Sequence, residues 1–80
     1  MGGRYPLLDR DQVEAVLKAA GFRPARTKGS HTHWEGVVGG ERRLVTVDHL
    51  NSKKEKYGPL LGKMIRQSGL TKKEFYAYLR

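Results

Sequence analysis

Two glycine turns in the middle of the 80-residue chain restrict its fold more than any other feature. Lys28-Gly29 and Gly39-Gly40 separate three short segments, because glycine accepts the backbone angles that tight turns require. Residues 30–38 and 41–48 are rich in strand-forming residues, whereas residues 22–27 contain a proline, which favours an edge position. The pattern predicts a meander of three strands with the proline-containing strand at an edge.

Amphipathic helices are predicted on both sides of this meander. Before it, Asp9 and Gln12 form a capping-box pattern, apolar residues follow at helical spacing, and Gly21 supplies the stop. After it, Gly58-Pro59 opens a second helix, because proline is well tolerated at the first helical position, and Gly69 ends that helix.

A short C-terminal helix completes the predicted order. Thr71 and Glu74 form a second capping box, from which a helix runs toward Leu79. The expected class is therefore α+β, with an α-β-β-β-α order and a short last helix in a single domain over residues 1–80. In such a domain the helices cover one face of a three-stranded antiparallel sheet and leave the other face open.

The charge balance points to a polyanionic partner. Sixteen Lys and Arg against eight Asp and Glu give a net charge of +8, which favours nucleic acid through counterion release. The absence of cysteine excludes disulfides and thiolate metal sites. Apolar runs are too short for a membrane span, and the first residues lack the apolar core of a signal peptide, so we expect a cytoplasmic protein.

The segment Lys28–Trp34 carries the chemistry of the chain. Histidine titrates near neutrality, so a histidine beside a tight turn among cations is a candidate acid or base acting on phosphate. Alternation along a strand places His31 and His33 on one face and Trp34 on the other, which predicts that Trp34 faces the core. The alternative is that His31 only hydrogen-bonds the turn backbone.

The same turn is also a candidate anion site. Gly29 allows close backbone approach, and Ser30 and the turn N–H groups can donate to an anion beside Arg26 and Lys28. The alternative is a hairpin turn that needs glycine and nothing else. A second basic zone is predicted around Tyr57, with a solvated surface loop as its alternative. Its residues are Arg42, Arg43, Lys53, Lys54 and Lys56.

Several segments of the chain have an order and spacing that are typical of one known family. They are Ala20-Gly21-Phe22, Arg26, Lys28-Gly29-Ser30-His31, Trp34, Val45-Thr46-Val47-Asp48-His49, residues 61–71 and Glu74-Phe75. In these segments the chain resembles the HicA-type (YcfA-like) toxins of bacterial toxin–antitoxin pairs.

The resemblance implies a double-stranded-RNA-binding-domain-like fold and the toxin of a type II pair. It also implies a metal-independent mRNA interferase that needs no cofactor, with His31 as the catalytic residue and Gly29 shaping its turn. Arg26, Lys28, Gly29 and Ser30, with the loop lysines Lys53 and Lys54, would bind the RNA substrate. The implied partners are mRNA and a HicB-like antitoxin that covers the active site. The sequence does not fix the oligomeric state, and we expect a monomer alone and a hetero-oligomer with the antitoxin.

Three hypotheses follow from these residues. The first is the endoribonuclease, in which either His33 or His49 could assist His31. The second is a noncatalytic RNA-binding module on the same fold, for which basicity and an open sheet suffice. The third is a metal-dependent enzyme in which His31 and His33 join His49 or Asp48 as ligands, although their spacing is loose.

Overall fold

The computed structural model describes residues 5–50 and 55–79 and confirms the predicted α+β class and element order. The elements are α1 (Arg10–Ala19), β1 (Arg23–Lys28), β2 (His31–Val38), β3 (Glu41–Asp48), α2 (Pro59–Ser68) and α3 (Lys72–Ala77). This is the order of the double-stranded-RNA-binding-domain-like fold. Within the described ranges, no helix is both long and apolar enough to cross a membrane.

The three strands form one antiparallel sheet in the order β1-β2-β3, as the glycine turns predict. Gly29 begins the two-residue loop between β1 and β2 with a φ of +58°, and Gly39 and Gly40 have φ angles of +64° and +77°. The register of β1 against β2 shifts between Pro24 and Arg26. The strand order places β1 at an edge of the sheet, which confirms the prediction. Proline and a register irregularity are both tolerated at such an edge.

The helix ends follow the predicted capping patterns. At the start of α1, the Asp9 carboxylate accepts from the Gln12 N–H at 2.8 Å, and the Gln12 side chain accepts from the Asp9 N–H at 2.9 Å. Thr71 and Glu74 make the equivalent pair at the start of α3. Gly69, with a φ of +77°, ends α2 in the left-handed conformation that glycine adopts at little cost.

The helices cover one face of the sheet and bury its apolar side chains. Trp34 is 4% exposed and Val45 and Val47 are fully buried, so the prediction that Trp34 faces the core is confirmed. Each such side chain contributes about 1.5–3 kcal/mol through burial. Gly36 allows the Phe22 ring to pack directly against the sheet, because a Cβ at this position would lie 2.7 Å from the ring.

α2 lies along the free edge of β3. The Gln67 side chain accepts a hydrogen bond from the Thr46 N–H at 3.1 Å, which satisfies a donor on this edge of the sheet. Because α2 packs on an edge, one of its faces reaches the core, where Leu61 and Ile65 are buried, and another extends the open face of the sheet. This placement creates the groove described below.

Tyr57 connects the core to the end of β3. Its side chain is 1% exposed, its hydroxyl donates to the Asp48 carbonyl at 2.5 Å, and its N–H donates to the Leu8 carbonyl at 2.9 Å. Burial disfavours the phenolate and raises the pKa of Tyr57 to about 12, with the nearby Glu14 carboxylate adding to the effect. Tyr57 thereby holds the strand end that carries Asp48.

Candidate functional site

The strand register brings the predicted site residues together in two rows on the open face of the sheet. Residues directly opposite each other on neighbouring strands project to the same face, so each row spans all three strands. The first row is Lys28, His31 and Asp48, and the second is Arg26, His33 and Thr46. Lys28 is therefore the direct neighbour of His31 across the strands, and Arg26 is the direct neighbour of His33.

His31 is oriented by a carboxylate. Its Nε2 lies 3.2 Å from Asp48 Oδ1, while the imidazole side chain remains 49% exposed. A hydrogen bond from Nε2–H to the carboxylate fixes the ring orientation and leaves Nδ1 free to accept a proton. This geometry replaces the simpler alternative in which His31 contacts only the turn backbone.

A groove of about 220 Å³ separates His31 from α2. Its lining from the sheet is His31, Thr46 and Asp48, and its lining from α2 is Leu60, Lys63, Met64 and Gln67. Lys63 adds a cation beside the histidine, and Gln67 holds the strand edge. Neither residue was predicted from the sequence, although positions 60, 63 and 67 repeat at helical spacing beside the buried stripe of α2.

His33 is the next residue after His31 on the open face of β2. Its Nδ1 lies 3.0 Å from the Thr46 hydroxyl, and the side chain is half-buried between Arg26 and Thr46. The bond to Thr46 holds the ring and leaves Nε2 toward the open face. His31 and His33 thus share one face, as strand alternation predicts.

His49 lies on the other, helix-covered face of the sheet. Its Nε2 is 2.6 Å from the Thr32 hydroxyl, and Thr32 is 5% exposed and contacts the Thr27 hydroxyl at 3.2 Å. His49 is therefore separated by the sheet from His31 and His33. Among the residues that the structure describes, no three His, Asp or Glu side chains converge as a metal site would require.

The turn residues lie at the open end of the site. Ser30 is exposed, and its carbonyl accepts from the His49 N–H at 2.7 Å. A Cβ on Gly29 would meet nothing within 4 Å, so the glycine is required by its positive φ and not by a steric contact. Lys53 and Lys54 lie outside the described residues, and their role in binding substrate remains a prediction.

The predicted basic zone around Tyr57 is wrong for two of its members. Arg42 lies on the open face opposite Val37 and pairs with Glu35, about 20 Å along β3 from the Asp48 end. Arg43 projects to the opposite face, where its guanidinium packs over Gly69. Both arginines therefore belong to the far end of the sheet, because they lie near the start of β3, whereas Tyr57 contacts its last residue, Asp48.

The fold and the site together define a small basic α+β protein of the double-stranded-RNA-binding-domain-like class with histidines on an open sheet. Residues 10–70 match the family described as HicA toxin of bacterial toxin-antitoxin. The chain belongs to this family of toxins, and its membership implies an antitoxin partner. No curated protein and no solved structure matches the chain significantly.

Proposed function

We propose that this protein is the toxin of a type II toxin–antitoxin pair and a metal-independent endoribonuclease that cleaves mRNA. The observation that carries the proposal is the setting of His31. The imidazole is half exposed in a groove, is oriented by Asp48, and lies between a cation on β1, Lys28, and a cation on α2, Lys63. A titratable group held among cations on an open surface suits proton transfer at a phosphodiester.

The proposed reaction is attack by a ribose 2′-oxygen on the adjacent phosphorus. His31 Nδ1 takes the 2′-OH proton, the new P–O2′ bond forms, and the P–O5′ bond breaks as the leaving 5′-oxygen takes up a proton. The products are a 2′,3′-cyclic phosphate and a 5′-hydroxyl. Asp48 stabilises the imidazolium that forms, and Lys28 and Lys63 stabilise the negative charge that develops on the phosphate oxygens. General base catalysis of this kind contributes about 10²–10⁴-fold in rate.

The RNA backbone is proposed to follow the cationic end of the open face. Arg26 and Lys28 are exposed on β1 beside the two histidines, and the N–H groups of the Gly29-Ser30 turn can donate to a phosphate. Lys53 and Lys54 are proposed to extend this surface. Such contacts bind the RNA backbone and do not recognise its base sequence. For a single strand, each phosphate contact steepens the decrease of log K with log salt concentration by about 0.7.

The antitoxin is proposed to be a HicB-like protein that covers the His31 groove in a hetero-oligomer. Family membership implies an antitoxin, and a groove with a half-exposed catalytic group is a surface that a protein can occlude. Adding the product of the neighbouring antitoxin gene to a cleavage reaction should inhibit it stoichiometrically. Continued cleavage in a complex isolated with that antitoxin would contradict occlusion.

The central experiment compares wild-type protein with His31→Ala on a labelled RNA in excess EDTA. We expect wild-type cleavage that yields cyclic phosphate ends, a loss of about 10²–10⁴-fold in His31→Ala, and no cleavage of the 2′-deoxy oligonucleotide. His49→Ala is the matched control, because it removes an imidazole from the other face of the sheet.

Two results would change the assignment. If wild-type protein binds the RNA without cleaving it across a wide pH range, the protein is a noncatalytic RNA-binding module. If EDTA abolishes cleavage, the reaction is metal-dependent. In cells, wild-type protein should arrest growth and degrade mRNA, while His31→Ala should be folded and harmless.

A further inference from the structure

We propose that His33 is a second catalytic residue, the general acid that protonates the 5′-oxygen as it leaves phosphorus. The inference rests on the proposed function, in which His31 is the base. It assigns distinct roles to the two histidines of the open face, and it identifies which further histidine takes part in the reaction.

The reaction itself requires a second proton-transfer group. Breaking the P–O5′ bond leaves an alkoxide, which is a poor leaving group unless a proton arrives as the bond breaks. His31 has one nitrogen engaged by Asp48 at 3.2 Å, so only the other nitrogen is available for the attacking oxygen. The attacking and leaving oxygens lie on opposite sides of phosphorus in an in-line displacement, and a single nitrogen cannot contact both.

The position of His33 meets this requirement. His31 and His33 are two residues apart on β2, which places their Cα atoms about 6.6 Å apart on the same face. Imidazoles at this separation can contact opposite sides of one phosphate. The Thr46 hydroxyl, 3.0 Å from His33 Nδ1, accepts a hydrogen bond from the protonated ring and leaves Nε2–H to donate to the leaving oxygen.

The groups around His33 suit a proton donor to RNA. Arg26 lies opposite it on β1 and brings the phosphate close. The next carboxylate on the same face, Glu35, is paired with Arg42 and so is directed away from the two histidines. His49 cannot take this role because it lies across the sheet with its Nε2 bonded to Thr32 at 2.6 Å.

A pair of RNA substrates tests the assignment directly. The two substrates are identical except that the bridging 5′-atom at the cleavage site is oxygen in one and sulfur in the other. A thiolate leaves without protonation, so the sulfur substrate does not need a general acid. We expect His33→Ala to cleave the oxygen substrate about 10²–10⁴-fold more slowly than wild type and the sulfur substrate at close to the wild-type rate. His31→Ala should remain slow on both.

His33→Asn is the second variant, because its amide lies at the position of Nδ1 and can keep the hydrogen bond to Thr46, but it cannot transfer a proton to the leaving oxygen. It should show the same pattern as His33→Ala. Wild-type rates on the oxygen substrate in both variants, or equal losses on both substrates, would overturn the inference while leaving the endoribonuclease intact. Failure of wild-type protein to cleave either substrate would overturn the proposed function and the inference together.

Discussion

The two faces of the sheet place the same side chain in opposite settings. On the open face, His31 is 49% exposed and contacts a carboxylate beside a groove. On the helix-covered face, His49 contacts the hydroxyl of Thr32, which is 5% exposed. Residue type is the same in both cases, so the face to which a strand residue projects decides whether an imidazole can meet a substrate or only stabilise the fold.

The largest expected difference between the faces is in stability. Trp34→Ala removes a nearly fully buried side chain from the helix-covered face and should lower the free energy of unfolding by about 3–5 kcal/mol. Leu44→Ser, on the open face where Leu44 is 50% exposed, should change it by less than about 0.5 kcal/mol. Urea unfolding of both variants measures the contrast. Similar losses would mean that the open face is covered in solution.

A smaller effect is expected at Gly36, where the sheet meets Phe22. A Cβ at this position would lie 2.7 Å from the ring, so Gly36→Ala should destabilise the protein by about 1–3 kcal/mol. Gly62→Ala is the control, and it is expected to change the stability in the opposite direction. Its Cβ would meet only the end of the Arg66 side chain at 3.8 Å, and alanine should stabilise this exposed helical position by about 0.5–1 kcal/mol. Thermal unfolding distinguishes the two, and stabilisation by Gly36→Ala would refute the close packing.

Asp48→Asn tests whether RNA cleavage at the open face depends on the carboxylate that orients His31. The amide keeps the size of the side chain but removes the charge that stabilises an imidazolium. Because the pair is partly exposed, we expect a decrease of about tenfold in the rate of RNA cleavage, with little change in unfolding. Measurements of kcat on the RNA substrate, with His49→Ala alongside, check this. An unchanged rate would remove Asp48 from the reaction.

The smallest expected effect concerns Tyr57, which links the two faces at the end of β3. Its pKa is about 12 in the folded protein against an ordinary value near 10, so the neutral phenol stabilises the fold fully below pH 10 and less as pH rises to 12. Tyr57→Phe should lose the hydrogen bond to the Asp48 carbonyl, at a cost of about 0.5–1.5 kcal/mol near neutral pH.

Unfolding of wild type and Tyr57→Phe at several pH values between 8 and 12 measures this effect. The stability of wild type should decrease more steeply above pH 10, so the difference between the two proteins should narrow. Parallel decreases would show that Tyr57 does not ionise in this range with a raised pKa.

Local sequence patterns predicted the helices and strands, and they predicted which residues of β2 lie on each face of the sheet. The capping boxes at Asp9 and Thr71 and the glycine turns at Gly29 and Gly39-Gly40 are all present in the structure. These features depend on only a few neighbouring residues. Side chains alternate along a strand, so Trp34 lies on the face away from His31 and His33 in any antiparallel sheet. A single sequence therefore suffices for them.

Tertiary structure decided which residues from distant parts of the chain surround His31. Strand register placed Asp48 at 3.2 Å from it, and the packing of α2 on the β3 edge brought Lys63 to the same groove. The direction of β3 carried Arg42 to the far end of the sheet, against the sequence-based expectation. The physical reason is separation along the chain: turns and caps depend on neighbours, whereas these contacts depend on how distant elements dock.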